Sequence, residues 1–113
     1  MSGIGRDMPD VYACKGDCLV AFEVKASRLE YAKIVRQQIE KLRGFLDFFS
    51  FYPNRMAVVA VTFPYRDWIF IRIPDGWNES WVKIDRETKS TWNPETIIRA
   101  YNQARKRVTD KSE

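Results

Sequence analysis

The chain has 113 residues, 45% of them hydrophobic, 14% aromatic and 30% charged, which suits one hydrophobic core and excludes two. Nineteen Lys and Arg against fifteen Asp and Glu give a net charge of +4, excluding an acidic solvating tail and a strongly basic histone-like arm while permitting a polyanionic partner. The absence of histidine excludes Ser-His-Asp and Cys-His catalysis and an HExxH metal site, so any chemistry must use carboxylates, Lys, Tyr or Cys.

Residues 1–9 are polar and glycine-containing and read as a loop. No window approaches the ~18 consecutive apolar residues of a membrane span, and MSGIGRDMPD holds no apolar run for a signal peptide. A soluble, cytoplasmic protein is the expectation. Val11 to Cys14 and Cys18 to Val24 are short apolar runs around Lys15-Gly16-Asp17, a hairpin signal with a three-residue turn. That turn sets Cys14 opposite Cys18, where a cross-strand disulfide is conceivable and two free thiols are favoured; two cysteines alone cannot complete a zinc site. The second run is apolar on both faces and reads as a central strand. Val35, Ile39, Leu42, Leu46 and Phe49 then recur at spacings of four and three, predicting a helix over about 29–49.

Phe48, Phe49, Phe51 and Tyr52 crowd the end of that helix, and Pro53-Asn54 closes it as a turn. Met56 to Phe63 and Trp68 to Ile73 form a second strand pair, Trp81 to Ile84 a short strand, and Asn93-Pro94-Glu95 the capped start of a helix running to about Val108. Repeats and linkers are absent, so the order β, β, α, β, β, short β, α makes one α/β domain over 1–113.

Charge is uneven along the chain. Between Val24 and Arg43, Lys25, Arg28, Lys33, Arg36, Lys41 and Arg43 face only Glu30 and Glu40, a local excess of +4. Lys33, Arg36, Lys41 and Arg43, together with Arg6 in the opening loop, are candidates for contacting the phosphates of a polyanion, the plainer reading of the cluster being a solvated helix face. Beside this cluster, an antiparallel hairpin brings Asp10 opposite positions 22–23, and strand alternation puts Glu23 and Lys25 on one face. Two carboxylates and an ammonium thus converge. Carboxylate oxygens are hard ligands suited to Mg²⁺, an ion that takes one or two of them together with substrate phosphate. A Glu and a Lys directly after five apolar strand residues are costly to place unless paired or functional.

Met8-Pro9-Asp10-Val11, the hairpin, and Val20-Ala21-Phe22-Glu23-Val24-Lys25-Ala26-Ser27 resemble the PD-(D/E)xK nuclease signature, and within it the archaeal Holliday junction resolvases. Ser2-Gly3 is similar to a Ser-Gly loop in those proteins, and Val35 to Leu42 is similar to the segment opening their next helix, with its Gln. The resemblance covers residues 2 to about 73 and fades after Pro74. It implies a restriction-endonuclease-like mixed β-sheet flanked by helices, with 10–73 as its core and 74–113 as a C-terminal extension. It implies too that Asp10 and Glu23 ligate Mg²⁺ (or Mn²⁺), that Lys25 positions the nucleophilic water, that Gln38 supports the site, and that Ser2 lies in a mobile DNA-touching loop. The family is dimeric and cuts two opposed strands of a four-way junction. Its members begin with a helix bearing a further catalytic Glu and a strand pairing with the first one here. This sequence starts after both, so an upstream start, a natural truncation with an impaired site, or a partner supplying the element is expected.

The leading expectation is a Mg²⁺-dependent, junction-selective DNA endonuclease. The alternatives are a non-catalytic DNA-binding or assembly module of the same fold, and a nuclease of that fold acting on other DNA. Seven Phe, five Tyr and four Trp in so short a chain also predict a homodimer that buries the aromatic cluster at 48–52. Trp68, Trp77, Trp81 and Trp92 read as core or interface rather than as base-stacking platforms.

Overall fold

In the computed structural model, which describes residues 8–95, strand β1 (Val11–Lys15) and strand β2 (Cys18–Ala26) pair antiparallel with Lys15 opposite Cys18. Gly16 and Asp17 alone connect them. Gly16 takes φ 61° at the first loop position, a conformation open to glycine because it lacks a Cβ and favoured in two-residue hairpin loops. The turn is thus one residue shorter than expected, and the register moves with it: Cys14 faces Leu19, not Cys18. Ladder partners share a face and neighbours alternate, so the two thiols lie on opposite faces of the hairpin. Both are free.

β2 is central, as its two-sided apolar pattern predicts. It lies between β1 and strand β4 (Asn54–Thr62), to which it is parallel, and strand β5 (Ile69–Ile73) pairs antiparallel on the far side of β4. The sheet is therefore mixed, in the order β1-β2-β4-β5. Parallel neighbours need a crossover connection, and here it contains strand β3 (Tyr31–Val35) and helix α1 (Arg36–Phe48). Ile39, Leu42, Phe45 and Leu46 of α1 pack on Leu19, Ala21, Val59 and Val61 of one sheet face. Ile39 and Leu42 are fully buried, each stabilising the fold by about 1.5–3 kcal/mol.

The helix predicted from residue 29 begins at Arg36. Over 31–35 the burial alternates, with Ala32 and Ile34 inside and Tyr31, Lys33 and Val35 outside, and this period of two belongs to a strand. Strand β6 (Trp81–Asp85), foreseen as Trp81 to Ile84, supplies the partner, with Tyr31 opposite Asp85 and Val35 opposite Trp81. Val35 stands at the junction, exposed as the strand alternation requires, and its four-residue distance from Ile39 alone carries the helical spacing through it.

The opposite face of the main sheet is closed by residues 90–92. Ser90 Oγ accepts from the Phe70 N–H at 2.9 Å and Thr91 Oγ1 from the Arg72 N–H at 2.9 Å, while the Thr91 and Trp92 N–H groups donate to the Phe70 carbonyl. This segment occupies the outer edge of β5, which would otherwise expose unpaired backbone groups. Trp92 is buried edge-on against Phe22 and Phe70, with ring centroids 5.5 and 5.6 Å away. Trp77 is partly buried against the main core, whereas Trp68 and Trp81 are exposed. Asn93 Oδ1 accepts from the Glu95 N–H at 2.8 Å, the expected cap ahead of Pro94. The rest of the predicted final helix and the loop over 1–7 lie outside the described residues. No helix among the described residues is long and apolar enough to cross a membrane.

Candidate nuclease site

The site is built around a carboxylate that the fold puts out of reach of water. Glu23 lies on the face of β2 that α1 covers, in the same alternation as Leu19 and Ala21, and only 4% of it is exposed. A buried charge must be paired or hydrogen-bonded to persist. Helix α1 supplies both partners. Gln38 Nε2 donates to Glu23 Oε1 at 3.1 Å, and Lys41 Nζ approaches Oε2 at 3.4 Å. Gln38 and Lys41, three residues apart, share one helical face.

The Gln38 amide is fixed at both ends. Its oxygen accepts the Val35 N–H at 3.1 Å, across the start of α1. Because that backbone group can only donate, the amide oxygen turns toward it and the NH₂ is left for Glu23. Glu23 Oε2 is different: it is buried, and what it has is the Lys41 ammonium, an ion pair at 3.4 Å in place of a short, well-aligned hydrogen bond.

β1 begins at Val11, opposite Phe22, and the preceding position, Asp10, falls beside Glu23. Asp10 is exposed, and its Oδ2 accepts the Val24 N–H at 2.8 Å, so a carboxylate takes over the ladder bond that the backbone of β1 no longer makes. Lys25 follows Glu23 on the same strand face and is half-buried. Burial in the first place, then the Asp10 charge, push the Glu23 carboxyl up from its ordinary value, against the pull of the Lys41 and Lys25 ammoniums. Asp10, Glu23, Lys25 and Gln38 are thus brought together at the open end of the hairpin.

Two carboxylates, one exposed and one buried with an oxygen already facing a cationic partner, Lys41, match the donor set of a hard divalent cation that keeps several waters. No group of three or more Asp, Glu or Cys side chains suited to a metal occurs among the described residues. Asp10 and Glu23 are therefore the residues that could hold Mg²⁺, with Lys25 beside them.

The other candidates have other positions. Arg36 donates to the Glu79 carbonyl from Nε at 2.9 Å and to the Asn78 carbonyl from Nη2. Arg43 donates to the carbonyls of Trp77 at 2.9 Å and Pro74 at 3.0 Å, and its guanidinium lies 5.7 Å from the Trp77 ring centroid. These two arginines fasten α1 to residues 74–79, and the donors expected to face phosphate are committed to backbone carbonyls. Lys33 is exposed, with Nζ 4.9 Å from the Trp81 ring centroid. Ser2 and Arg6 lie outside the described residues. Lys41, expected on a phosphate surface, stands instead against Glu23. The one signal of this in the sequence is its three-residue spacing from Gln38.

Among curated proteins no match to the chain is found. One similar solved structure is that of Archaeoglobus fulgidus Hjc, a Holliday junction resolvase from an archaeal hyperthermophile, at 28% identity and a TM-score of 0.53. The match covers 70% of this chain and 62% of that one, so this chain spans less than two thirds of that protein's length. The family model described as archaeal Holliday junction resolvase (Hjc) matches residues 1–106, nearly the whole sequence and with it Asp10, Glu23, Lys25 and Gln38. On that match, and on a mixed sheet that carries a buried Glu beside Asp10 and Lys25, the chain belongs to the archaeal Holliday junction resolvase family.

Proposed function

We propose that this protein is a Mg²⁺-dependent endonuclease that hydrolyses phosphodiesters of four-way DNA junctions, acting as a cytoplasmic homodimer. The observation that carries the reading is the buried Glu23 carboxylate beside Asp10, one oxygen fixed by Gln38 and the other held by the Lys41 ion pair alone, in a chain of this family. Mg²⁺ between these carboxylates would supply Lewis-acid polarisation of the phosphodiester and a water of lowered pKa. Gln38 keeps the Glu23 carboxylate in one orientation, so little reorganisation is needed when a cation arrives. Lys25 holds the attacking water and offsets negative charge that develops on the phosphate in the transition state. Lys33, with Arg6 and Ser2, contributes to the DNA-facing surface; Arg36 and Arg43 serve the fold.

The dimer rests on exposed aromatic area. Phe48 is 81% and Phe51 74% exposed, Tyr12 of the edge strand is exposed and lines the same groove as Phe48, and covering such a patch in a two-fold contact removes it from water. Two copies would also offer one site to each of two junction strands.

A second reading is a DNA-binding module that does not cut, favoured by the count of two rather than three candidate metal ligands among the described residues. Glu23→Ala and Lys25→Ala separate the two readings. For an endonuclease both substitutions abolish cleavage and leave junction affinity within about threefold, because affinity rests on phosphate contacts elsewhere. Affinity lost together with cleavage would assign these residues a structural role.

A further inference from the structure

The two groups that α1 presents to Glu23 differ in kind. Gln38 is a neutral donor on Oε1, anchored by the Val35 N–H, and its bond is compatible with a cation on the other oxygen. Lys41 is itself a cation, paired at 3.4 Å with Oε2, the oxygen that Gln38 leaves free. A metal ligated by Oε2 and the Lys41 ammonium would claim the same lone pairs and repel one another.

The pair is also asymmetric in its access to solvent. The Glu23 side chain is 6% exposed and the Lys41 side chain 24%, so the carboxylate is confined while the ammonium has a way out. That way is a groove of about 650 Å³ that Lys41 lines with Met8, Tyr12, Gly44, Phe45 and Phe48. Gly44, three residues further along α1 and so on the same face, leaves open space in which a Cβ would meet nothing within 4 Å. The apolar stem of a lysine suits such a groove, with its head in water.

We propose that Lys41 is a displaceable counter-ion of Glu23, which occupies the cation's place at Oε2 in the metal-free protein, competes with the divalent ion for it, and withdraws into the groove when the metal binds. This inference rests on the metal reading of Asp10 and Glu23. It makes metal affinity a property the helix sets: Gln38 supports it and Lys41 opposes it. The metal-free protein then never exposes an uncompensated buried carboxylate, and loading is tuned by one side chain that ligates nothing itself.

The sign of one substitution decides the matter. A group that merely supports a metal ligand weakens affinity by about 10–100-fold when removed, whereas removing a competitor tightens it. Mn²⁺ binding to the full chain, followed by electron paramagnetic resonance of the free ion, should show Lys41→Met lowering the dissociation constant by about tenfold. Lys41→Arg, which keeps the charge, should stay near wild type, and Gln38→Ala should weaken binding. Thermal melts of each variant establish that it is folded. A second readout needs no variant: the Lys41 side-chain ¹³Cε and ¹⁵Nζ resonances should shift on saturation with diamagnetic Mg²⁺. Equal or weaker Mn²⁺ affinity in Lys41→Met, or Lys41 resonances that ignore Mg²⁺, would overturn the competition while leaving the metal site standing. Mn²⁺ bound by neither wild type nor Lys41→Met would overturn the metal reading itself and this inference with it.

Discussion

Replacing Arg43 with alanine tests whether the basic residues of α1 serve the fold or the nucleic acid. The guanidinium donates to the carbonyls of Trp77 at 2.9 Å and Pro74 at 3.0 Å, with a longer 3.4 Å approach to Asp75. A hydrogen bond from a charged donor contributes about 1.5–3 kcal/mol net, so two short ones set an upper range of about 3–6 kcal/mol. The side chain is 25% exposed, and water can reach the carbonyls at 74 and 77 once the arginine is gone. The expected loss is therefore about 2–3 kcal/mol. Arg43→Lys should recover less than half of it, because a point charge cannot span carbonyls that a planar fork reaches together. Urea unfolding followed by tryptophan fluorescence reads the loss as a lower midpoint at unchanged slope. The same variant has a second readout in junction binding. Each neutralised phosphate contributes about 0.9 to the dependence of log affinity on log salt, so Arg43→Ala should leave that slope unaltered and Lys33→Ala should reduce it. A stability loss below about 0.5 kcal/mol, together with a flattened slope for Arg43→Ala, would refute the clamp and return Arg43 to the DNA surface.

Glu23→Gln should make stability less dependent on pH. Burial and Asp10 raise the Glu23 pKa in the folded chain, so the folded state holds the proton more readily than the unfolded one. The contribution of this group is complete below the ordinary carboxylate range and is lost as pH rises through the raised value. The glutamine variant, which can still accept from Gln38, should match wild type in acid and exceed it at neutral pH; a difference constant across that window would contradict the assignment. Replacing Phe48 and Phe51 together with Asp should turn a dimer into a monomer by sedimentation velocity at micromolar concentration, and a wild-type monomer there would remove the proposed interface.

Most of the sheet is legible in the sequence because its strands are runs of apolar residues bounded by Gly, Pro and Asn, and the two-sided burial of β2 follows directly from Leu19 to Phe22 being apolar on both faces. The Asp10 and Glu23 pairing is legible for the same reason: alternation and a hairpin leave those side chains little freedom. Errors arise where two signals overlap. Val35 closes a strand and opens a helix, so a spacing that includes it extends the helix backward over Tyr31 to Ile34. The cysteine register depends on whether Lys15 belongs to the turn or to the strand, and a one-residue difference moves the thiols to opposite faces. The partners of Arg36 and Arg43 are invisible to any local rule, since backbone carbonyls 31–43 residues away leave no residue-type signature. Lys41 is hidden likewise: a basic residue on a basic helix reads as solvated until the helix is seen to lie over Glu23.

Whether the buried Glu23 and its neighbours form a junction-cutting site is tested most directly by cleavage of a four-way DNA junction, with linear duplex of the same sequence alongside, in the presence and absence of Mg²⁺. With Mg²⁺, cuts should appear in two opposed strands of the junction and none in the duplex, and all cutting should vanish with chelator while junction binding persists. Junction binding without cleavage at any Mg²⁺ concentration would contradict the enzyme reading and leave the module that binds without cutting.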